Sequence, residues 1–379
     1  MEVKIVLGYT FGDEGKGVTT QWLCRKAIEE GKKPVVVRFS GGPQAGHTVN
    51  NGSVEHVCSS FGSGVLLGVP TRLDSQVYVD PIALMREYDI LRAKGFNPSI
   101  SINDRCRIIT PSDVLANRIN GKVLKDGSCG MGIYPTYLRS FPNIFPTDTF
   151  KKACEFPGDI LKRAAAFNIE VDASSYDSQF IEACNRLKEL EQESRNGKVD
   201  VLIYEGSQGL LLDMDRGFFP NVTPSKTGLD GILDGYSFVD INNAEVYLVT
   251  RTYTTRHGNG YIPKRPLKWD LSNKHETNVN NRYQGAFKVG ELELDLLNRA
   301  SERHCLDVYK AKYNLKYNLV ITHMDLAIQS NCFYCNNKEV FIKSSGTPQA
   351  VAEVVTDNLS LQMDNVYYND SIYSNLREV

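Results

Sequence analysis

The sequence predicts an α/β protein with a mainly parallel central sheet flanked by helices, related to the phosphate-loop architectures and carrying long active-site loops. Three observations predict it. The chain opens with an apolar run, a glycine-rich turn, a helical pattern and a second apolar run, which is a βαβ unit. Short runs rich in β-branched and aromatic residues then recur among helical stretches. No internal repeat, low-complexity linker or composition break interrupts residues 1–379, so one large domain is expected.

Val3 to Leu7 reads as the first strand. Val18 to Glu30 follows with Trp22, Leu23, Ala27 and Ile28 at helical spacing before Gly31, and Pro34 to Phe39 has the pattern of a buried strand. Further strands are expected at Val77–Val79, Ile108–Ile109, Val201–Tyr204, Val246–Val249 and Leu319–Thr322. Helices are expected at Pro81–Lys94, Asp159–Ala166, Ser178–Arg195, Glu291–Tyr313 and Pro348–Met363. The charged Lys188–Lys198 stretch reads as a solvated helix end and loop.

A formal charge of -2 leaves no basic footprint for nucleic acid, so small acidic ligands are the better fit. The first residues lack the pattern of a signal peptide, and no apolar run approaches the roughly 20 residues that span a bilayer. A soluble, cytoplasmic protein without membrane contact is expected, in the host cytoplasm if the source is viral. The nine scattered cysteines suit reduced thiols. Cys332 and Cys335 have metal-like spacing, with His304-Cys305 as the second pair zinc would need, but the residues that follow also read as a hairpin.

The chemistry concentrates in Gly8-Tyr9-Thr10-Phe11-Gly12-Asp13-Glu14-Gly15-Lys16-Gly17, between first strand and first helix, where backbone N–H groups and a helix N-terminus can hold phosphate. It is not a Walker A loop: Thr10 stands where the first glycine belongs, and Gly17 where a magnesium-binding hydroxyl belongs. Nor is it a dinucleotide loop, because two carboxylates occupy it. A carboxylate among phosphates is repulsive unless a metal or a proton-transfer role compensates, which singles out Asp13. The second cluster, Gly41-Gly42-Pro43-Gln44-Ala45-Gly46-His47-Thr48, follows the second parallel strand and should emerge at the same sheet edge. His47 is then either a turn-capping histidine or a partner of Asp13 at a shared site, and convergence of two clusters favours the site.

Together these clusters resemble the adenylosuccinate synthetase family. The resemblance continues through Ser128-Cys129-Gly130-Met131-Gly132-Ile133-Tyr134-Pro135, Glu205 to Asp213, Pro220 to Thr223, Tyr253 to Gly260, Thr322-His323-Met324-Asp325 and Ser344-Ser345-Gly346. It implies a ligase in which GTP phosphorylates the 6-oxygen of IMP and L-aspartate displaces the phosphate, with magnesium as cofactor and a homodimer as the assembly. Asp13 is then the base at N1 and a magnesium ligand, with the Gly46 carbonyl as another. His47 is the acid at the 6-oxygen, with Lys16 and Gln208 completing the catalytic group. Asp13, Gln44, Ser128, Cys129, Gln208, Thr223 and Arg139 fall to the mononucleotide. Gly12, Glu14, Gly15, Lys16, Gly17, Thr48, His323, Asp325, Ser344 and Gly346 fall to GTP. The residue types suit these roles: a carboxylate can take the N1 proton, and an imidazole can donate to the oxygen that gains charge.

The chain departs from the family in several places. Pro43-Gln44 replaces two asparagines, and Cys129 and Met131 replace threonine and arginine, leaving Arg139 to supply charge, across a dimer interface as a family arginine does. Where several arginines usually meet the aspartate, Asn281 to Gly290 offers Lys288, a point charge that cannot reproduce a guanidinium fork. These changes are similar to the short archaeal and viral branch, whose viral members use dGMP in place of IMP. Retention of Asp13 favours IMP, with dGMP as the alternative, and ATP as an alternative donor. A non-catalytic nucleotide-binding regulator and a plain phosphate-loop NTPase are the readings of another class. The paired Asp13 and His47 weigh against the first, and the missing hydroxyl after Lys16 against the second.

Overall fold

In a computed structural model of the chain, residues 1–120, 127–140, 148–193, 198–235, 239–265, 282–327, 332–342, 347–370 and 375–379 are described. The alternation of side chains along each strand decides the architecture. Ile5 and Leu7 of the first strand point to one face with Val37, Tyr204, Leu248 and Ile321, while Val6 points to the other with Val36, Ile203, Val249 and Val320. A sheet apolar on both faces must be covered on both, which is how parallel strands joined by helices are built.

The strands of the central sheet, numbered in chain order, are β1 (Glu2–Gly8), β2 (Pro34–Arg38), β3 (Thr71–Leu73), β4 (Ile100–Ile102), β5 (Val201–Gly209), β6 (Glu245–Arg251), β7 (Lys316–Thr322), β8 (Asn365–Tyr368) and β9 (Arg377–Glu378). Their spatial order is β9-β8-β7-β6-β1-β5-β2-β3-β4. Every pairing is parallel except β8 with β9. Helix α1 (Lys16–Glu29) covers one face with Trp22, Leu23 and Ala27. The helices Leu294–Arg303 and Pro348–Asp357 cover the other through Leu297, Ala300, Val351 and Val355. Helices Pro81–Ala93, Pro157–Phe167 and Asp177–Glu193 build a further core against β3 and β4.

Most expected elements are present, with instructive differences. Val201–Tyr204 continues as strand to Gly209, carrying Glu205 and Gln208 on β5 itself. Tyr78–Val79 pairs with Arg107–Ile108 in a separate ladder outside the main sheet. The helix expected over Glu291–Tyr313 is two helices, broken where Cys305 takes a left-handed conformation (φ 49). The helix from Pro348 ends at Asp357, and Arg195 lies outside the described residues. Cys332–Cys335 forms the hairpin, pairing with Lys338–Phe341 across Asn336-Asn337, both at positive φ. His304 is not near-free to bind zinc, because its Nε2 bonds the Leu210 carbonyl at 2.8 Å in the interior. None of the described cysteines is in a disulfide. Among the described residues, no helix is long and apolar enough to cross a membrane.

Candidate active site

β1 ends at Gly8, and the loop to α1 closes on itself through Glu14. This carboxylate is buried and accepts from the Thr10 N–H at 2.5 Å and the Thr10 hydroxyl at 2.6 Å. A side chain at Gly8 would put its Cβ 2.1 Å from Glu14 Oε2, so glycine is required there. Burial pushes the Glu14 carboxyl up, against the opposing pull of Lys16 and Thr10. Lys16 is equally buried, with Nζ 3.9 Å from Glu14 Oε2. Glu14, expected at GTP, braces the loop through Oε1, while its Oε2 has no hydrogen-bond partner in the protein. Gly15 caps α1 at φ 99 against Thr322, whose hydroxyl donates to the Glu14 carbonyl at 2.8 Å.

Asp13 sits at φ 59, a conformation that costs a non-glycine residue energy and is held by its neighbours. Arg251, at the end of β6, donates Nε to its carbonyl, and Thr255 donates to the Gly12 carbonyl at 2.9 Å. The carboxylate remains 23% exposed, with His257 Nε2 3.8 Å from Oδ2. The end of β5 packs on the same loop: a Cβ on Gly209 would lie 2.2 Å from the Thr10 carbonyl, which brings Gln208 alongside.

His47 backs onto the first turn of α1, where a Cβ on Gly17 would lie 3.0 Å from the His47 Cβ. Its Nδ1 is 2.7 Å from Glu205 Oε1, and both side chains are buried. An ionised carboxylate only accepts, so Nδ1 carries the hydrogen and Nε2 presents its lone pair. Burial pushes the His47 ring toward its neutral form, reinforced by Arg38 and Lys16 and opposed by Glu205. Against its own burial, the Glu205 carboxyl is held down by His47, Arg38 and Ser63. Ser63 donates its N–H to Glu205 at 3.1 Å and its hydroxyl as well.

Buried polar atoms without a protein partner mark the cleft. His47 Nε2, Gln208 Oε1 and both amide atoms of Gln44 have none. Each such atom costs about 1–3 kcal/mol when nothing meets it, which makes these four atoms candidates for ligand contact. Thr223 is half-buried on the loop after β5, and Ser225 beside it accepts from the Gly41 N–H at 3.2 Å, tying that loop to Gln44's. The Ser128 hydroxyl is engaged with Asn117 at 2.9 Å, and burial raises the adjacent Cys129 thiol to about 11.

Arg139 is a correction. Expected at the mononucleotide phosphate, it is instead fully buried, bonded to Asp113 at 2.8 Å, to Asp148, and to the Ile108 carbonyl at 2.6 Å. Two interior carboxylates hold the guanidinium, so it supplies no charge to the cleft or to a partner subunit.

On the other flank, at the end of β7, His323 lies buried at φ 59 with its ring edge-on to Tyr253, 5.7 Å between centroids. Burial, then Arg251, pushes it well below the ordinary histidine value. Asp325 is exposed in the short helix that follows, and partial desolvation of its carboxyl raises it. Thr48 follows His47 in the hairpin, while Ser344, Gly346 and Asn281 lie outside the described residues. Lys288 is half-buried on the strand Phe287–Glu291, opposite Arg256 of Tyr253–His257. The Asp13 carboxylate and the Gly46 carbonyl offer only oxygen, the donor set that magnesium takes. The metal-like group His56, Cys58 and Glu87 lies elsewhere, and its Glu87 oxygens already accept from Ser59 and Ser60.

Glu205, Arg251 and His257 are the residues that motif reading left unassigned, although two lay inside quoted blocks. Position at a strand's carboxyl end was the available signal.

Fold and site define an α/β protein whose glycine loop after β1 closes on itself beside buried, unpartnered polar atoms. The sequence profile described as adenylosuccinate synthetase matches residues 5–302. Adenylosuccinate synthetase of Clostridium botulinum (strain Eklund 17B / Type B) is 32% identical over 309 residues, covering 74% of this chain and 70% of that protein. Among solved structures, fully ligated adenylosuccinate synthetase from Plasmodium falciparum superposes with TM-score 0.73 at 17% identity, covering 99% of each chain. The cyanophage S-2L succinoaminodeoxyadenylate synthetase bound to dGMP and dATP does so with TM-score 0.63 at 14% identity, covering 100% of this chain and 95% of that one. The chain belongs to the adenylosuccinate synthetase family.

Proposed function

We propose that the protein joins L-aspartate to C6 of a purine 5'-monophosphate through a 6-phosphoryl intermediate, with IMP as substrate and GTP as donor. The observation that carries this is a half-buried carboxylate, Asp13, on the loop after β1, together with a buried histidine, His47, whose Nε2 has no partner in the protein. Asp13 takes the N1 proton, placing negative charge on the 6-oxygen. That oxygen attacks the γ-phosphorus, the bond to the β-phosphate oxygen breaks, and the donor leaves as its diphosphate. His47, protonated once phosphates enter the cleft and supported by Glu205, donates through Nε2 to the 6-oxygen. The aspartate amine then adds at C6, and phosphate leaves with the 6-oxygen. Magnesium bound by Asp13 and Gly46 would neutralise phosphate charge. Lys16 and the loop N–H groups orient the donor phosphates, with Thr48, His323 and Asp325 toward its nucleoside. Gln44, Gln208 and Thr223 hold the mononucleotide, and Lys288 faces the aspartate carboxylates.

One observation favours a second substrate. His257 stands beside Asp13, where the C2 side of the base would lie, and the fold neighbour from cyanophage S-2L binds dGMP. The alternative is therefore dGMP, with ATP as the alternative donor. The test is turnover of purified protein with magnesium and L-aspartate, crossing IMP and dGMP with GTP and ATP, read as the absorbance change of an N6-substituted purine. Asp13→Ala is expected to lower kcat by at least about a hundredfold while the protein stays folded. No product from any combination, or full activity in Asp13→Ala, overturns the reading.

A further inference from the structure

The antiparallel hairpin of His47–Asn50 with Glu55–Cys58 buries one of its faces. On that face His47 stands directly opposite Cys58, and Val49 opposite His56, because side chains two residues apart point the same way. Helix Pro81–Ala93 brings Glu87 to the same place, so that one ligand atom each of His56, Cys58 and Glu87 lies within 4.8 Å of the other two. All three residues are buried, and the function proposed above uses none of them.

Three observations give this group the geometry of a metal site. His56 Nε2 is 3.3 Å from Glu87 Oε1. That is long for a hydrogen bond to a carboxylate, which runs at about 2.7–2.9 Å. It equals the edge of about 3.3 Å that a nitrogen and an oxygen span in a tetrahedron whose bonds to zinc are about 2.0–2.1 Å. Glu87 is held from behind, since Oε2 accepts from the Ser59 hydroxyl at 2.7 Å and the Ser60 N–H at 2.6 Å, whereas every hydrogen bond to Oε1 is 3.2 Å or longer. Oε1 is the oxygen left for a metal, and the bonds to Oε2 orient it. Cys58 is a free thiol with no exposed surface.

We propose that His56 Nε2, Cys58 Sγ and Glu87 Oε1 bind one zinc ion, which ties the hairpin carrying His47 to helix Pro81–Ala93. The donor set decides the metal: nitrogen, sulfur and oxygen together suit zinc, while magnesium takes oxygen alone. A thiolate and a carboxylate offset the double charge of the ion, as burial requires. On binding, the Cys58 thiol proton leaves to solvent, and the His56 ring carries its hydrogen on Nδ1. Lys94 Nζ, 3.3 Å from that nitrogen, then turns away; its residue is exposed, and it already donates to the Glu55 carbonyl at 2.8 Å. With three protein ligands, the fourth position falls to water. The brace continues toward the active site, because the segment after Cys58 reaches Ser63, which donates to the Glu205 that holds His47.

Cobalt(II) is the probe, because a thiolate bound to it gives a sulfur-to-metal charge-transfer band and a tetrahedral site gives intense visible bands. Titration of the reduced protein is expected to produce both, with zinc abolishing them by displacement. Cys58→Ser, close in size to the parent, loses the charge-transfer band and binds zinc at least about a hundredfold more weakly. Cys335→Ser, from the other metal-like pair, keeps the band. His56→Gln is expected to weaken zinc binding as much as Cys58→Ser does, and zinc raises the Tm of the parent but of neither ligand variant. No charge-transfer band in the parent, or a band that survives Cys58→Ser, overturns the inference. Unchanged zinc affinity in His56→Gln overturns it even where Cys58→Ser fails to fold.

Discussion

Arg139 shows how one residue's surroundings decide its role. A cation that contacts ligand phosphate can be removed at little cost to folding, because water replaces it when the ligand is absent. Arg139 has no such freedom, since Asp113 and Asp148 are both buried and both depend on it. Arg139→Ala leaves the interior Asp113 without its cation and Asp148 with Arg163 alone, and is expected to destabilise the fold by about 3–5 kcal/mol. Chemical denaturation measures this; a parent-like midpoint with a raised nucleotide KM would restore Arg139 to the phosphate. Glu205 is the opposite case. Glu205→Gln keeps size and shape but can donate to His47 Nδ1, which releases the tautomer that aims the Nε2 lone pair at the cleft. A fall in kcat of about ten- to a hundredfold is expected with smaller change in KM. The 15N shifts of the His47 ring report the cause independently, as a mixture of tautomers in place of one.

The glycine loop is a device of the whole element, because its parts fix one another. Glu14 ties the loop to Thr10, Thr255 and Arg251 hold Gly12 and Asp13, and Thr322 closes against Gly15. Gly15→Ala tests that closure. Its φ of 99 strains any side chain, and the new Cβ would approach Thr322 Cγ2 to 2.7 Å. The expected result is nucleotide affinity reduced by about tenfold or more, measured by titration, with the sheet intact by circular dichroism. The loop and the βαβ opening were legible because glycine spacing and apolar runs act locally. β3 and β4 were not, since three-residue strands such as Thr71-Arg72-Leu73 are stabilised by neighbours in the sheet, not by their own pattern. Nor was the break at Cys305, where a continuous helical periodicity conceals a left-handed residue. His257 could not be placed beside Asp13 from sequence, because their approach depends on β6 lying next to β1.

At the scale of the molecule, the interior holds histidines in their neutral form. His47, His304 and His323 are buried, and burial is the largest influence pushing each ring below the ordinary value. In the unfolded chain these rings take up protons near pH 6.5, whereas in the folded chain they resist until lower pH. The unfolded state therefore binds more protons across that window, and stability falls as pH drops below about 6.5. The buried Glu205 adds to the same trend further into acid, because its carboxyl is held below the carboxylate range. A lower urea midpoint at pH 5.5 than at pH 7.5 is the expected outcome, and equal midpoints would contradict it. His47→Gln removes one of the contributing rings, so the difference between the two pH values should shrink even if the variant is less stable at both. His304 bonds the Leu210 carbonyl between the core helices and β5, whereas His47 and His323 stand at opposite flanks of the cleft. Nucleotide bound to both flanks should therefore reduce the acid loss: its phosphates favour the protonated form of His47 within the folded state, narrowing the gap in proton uptake that drives the loss.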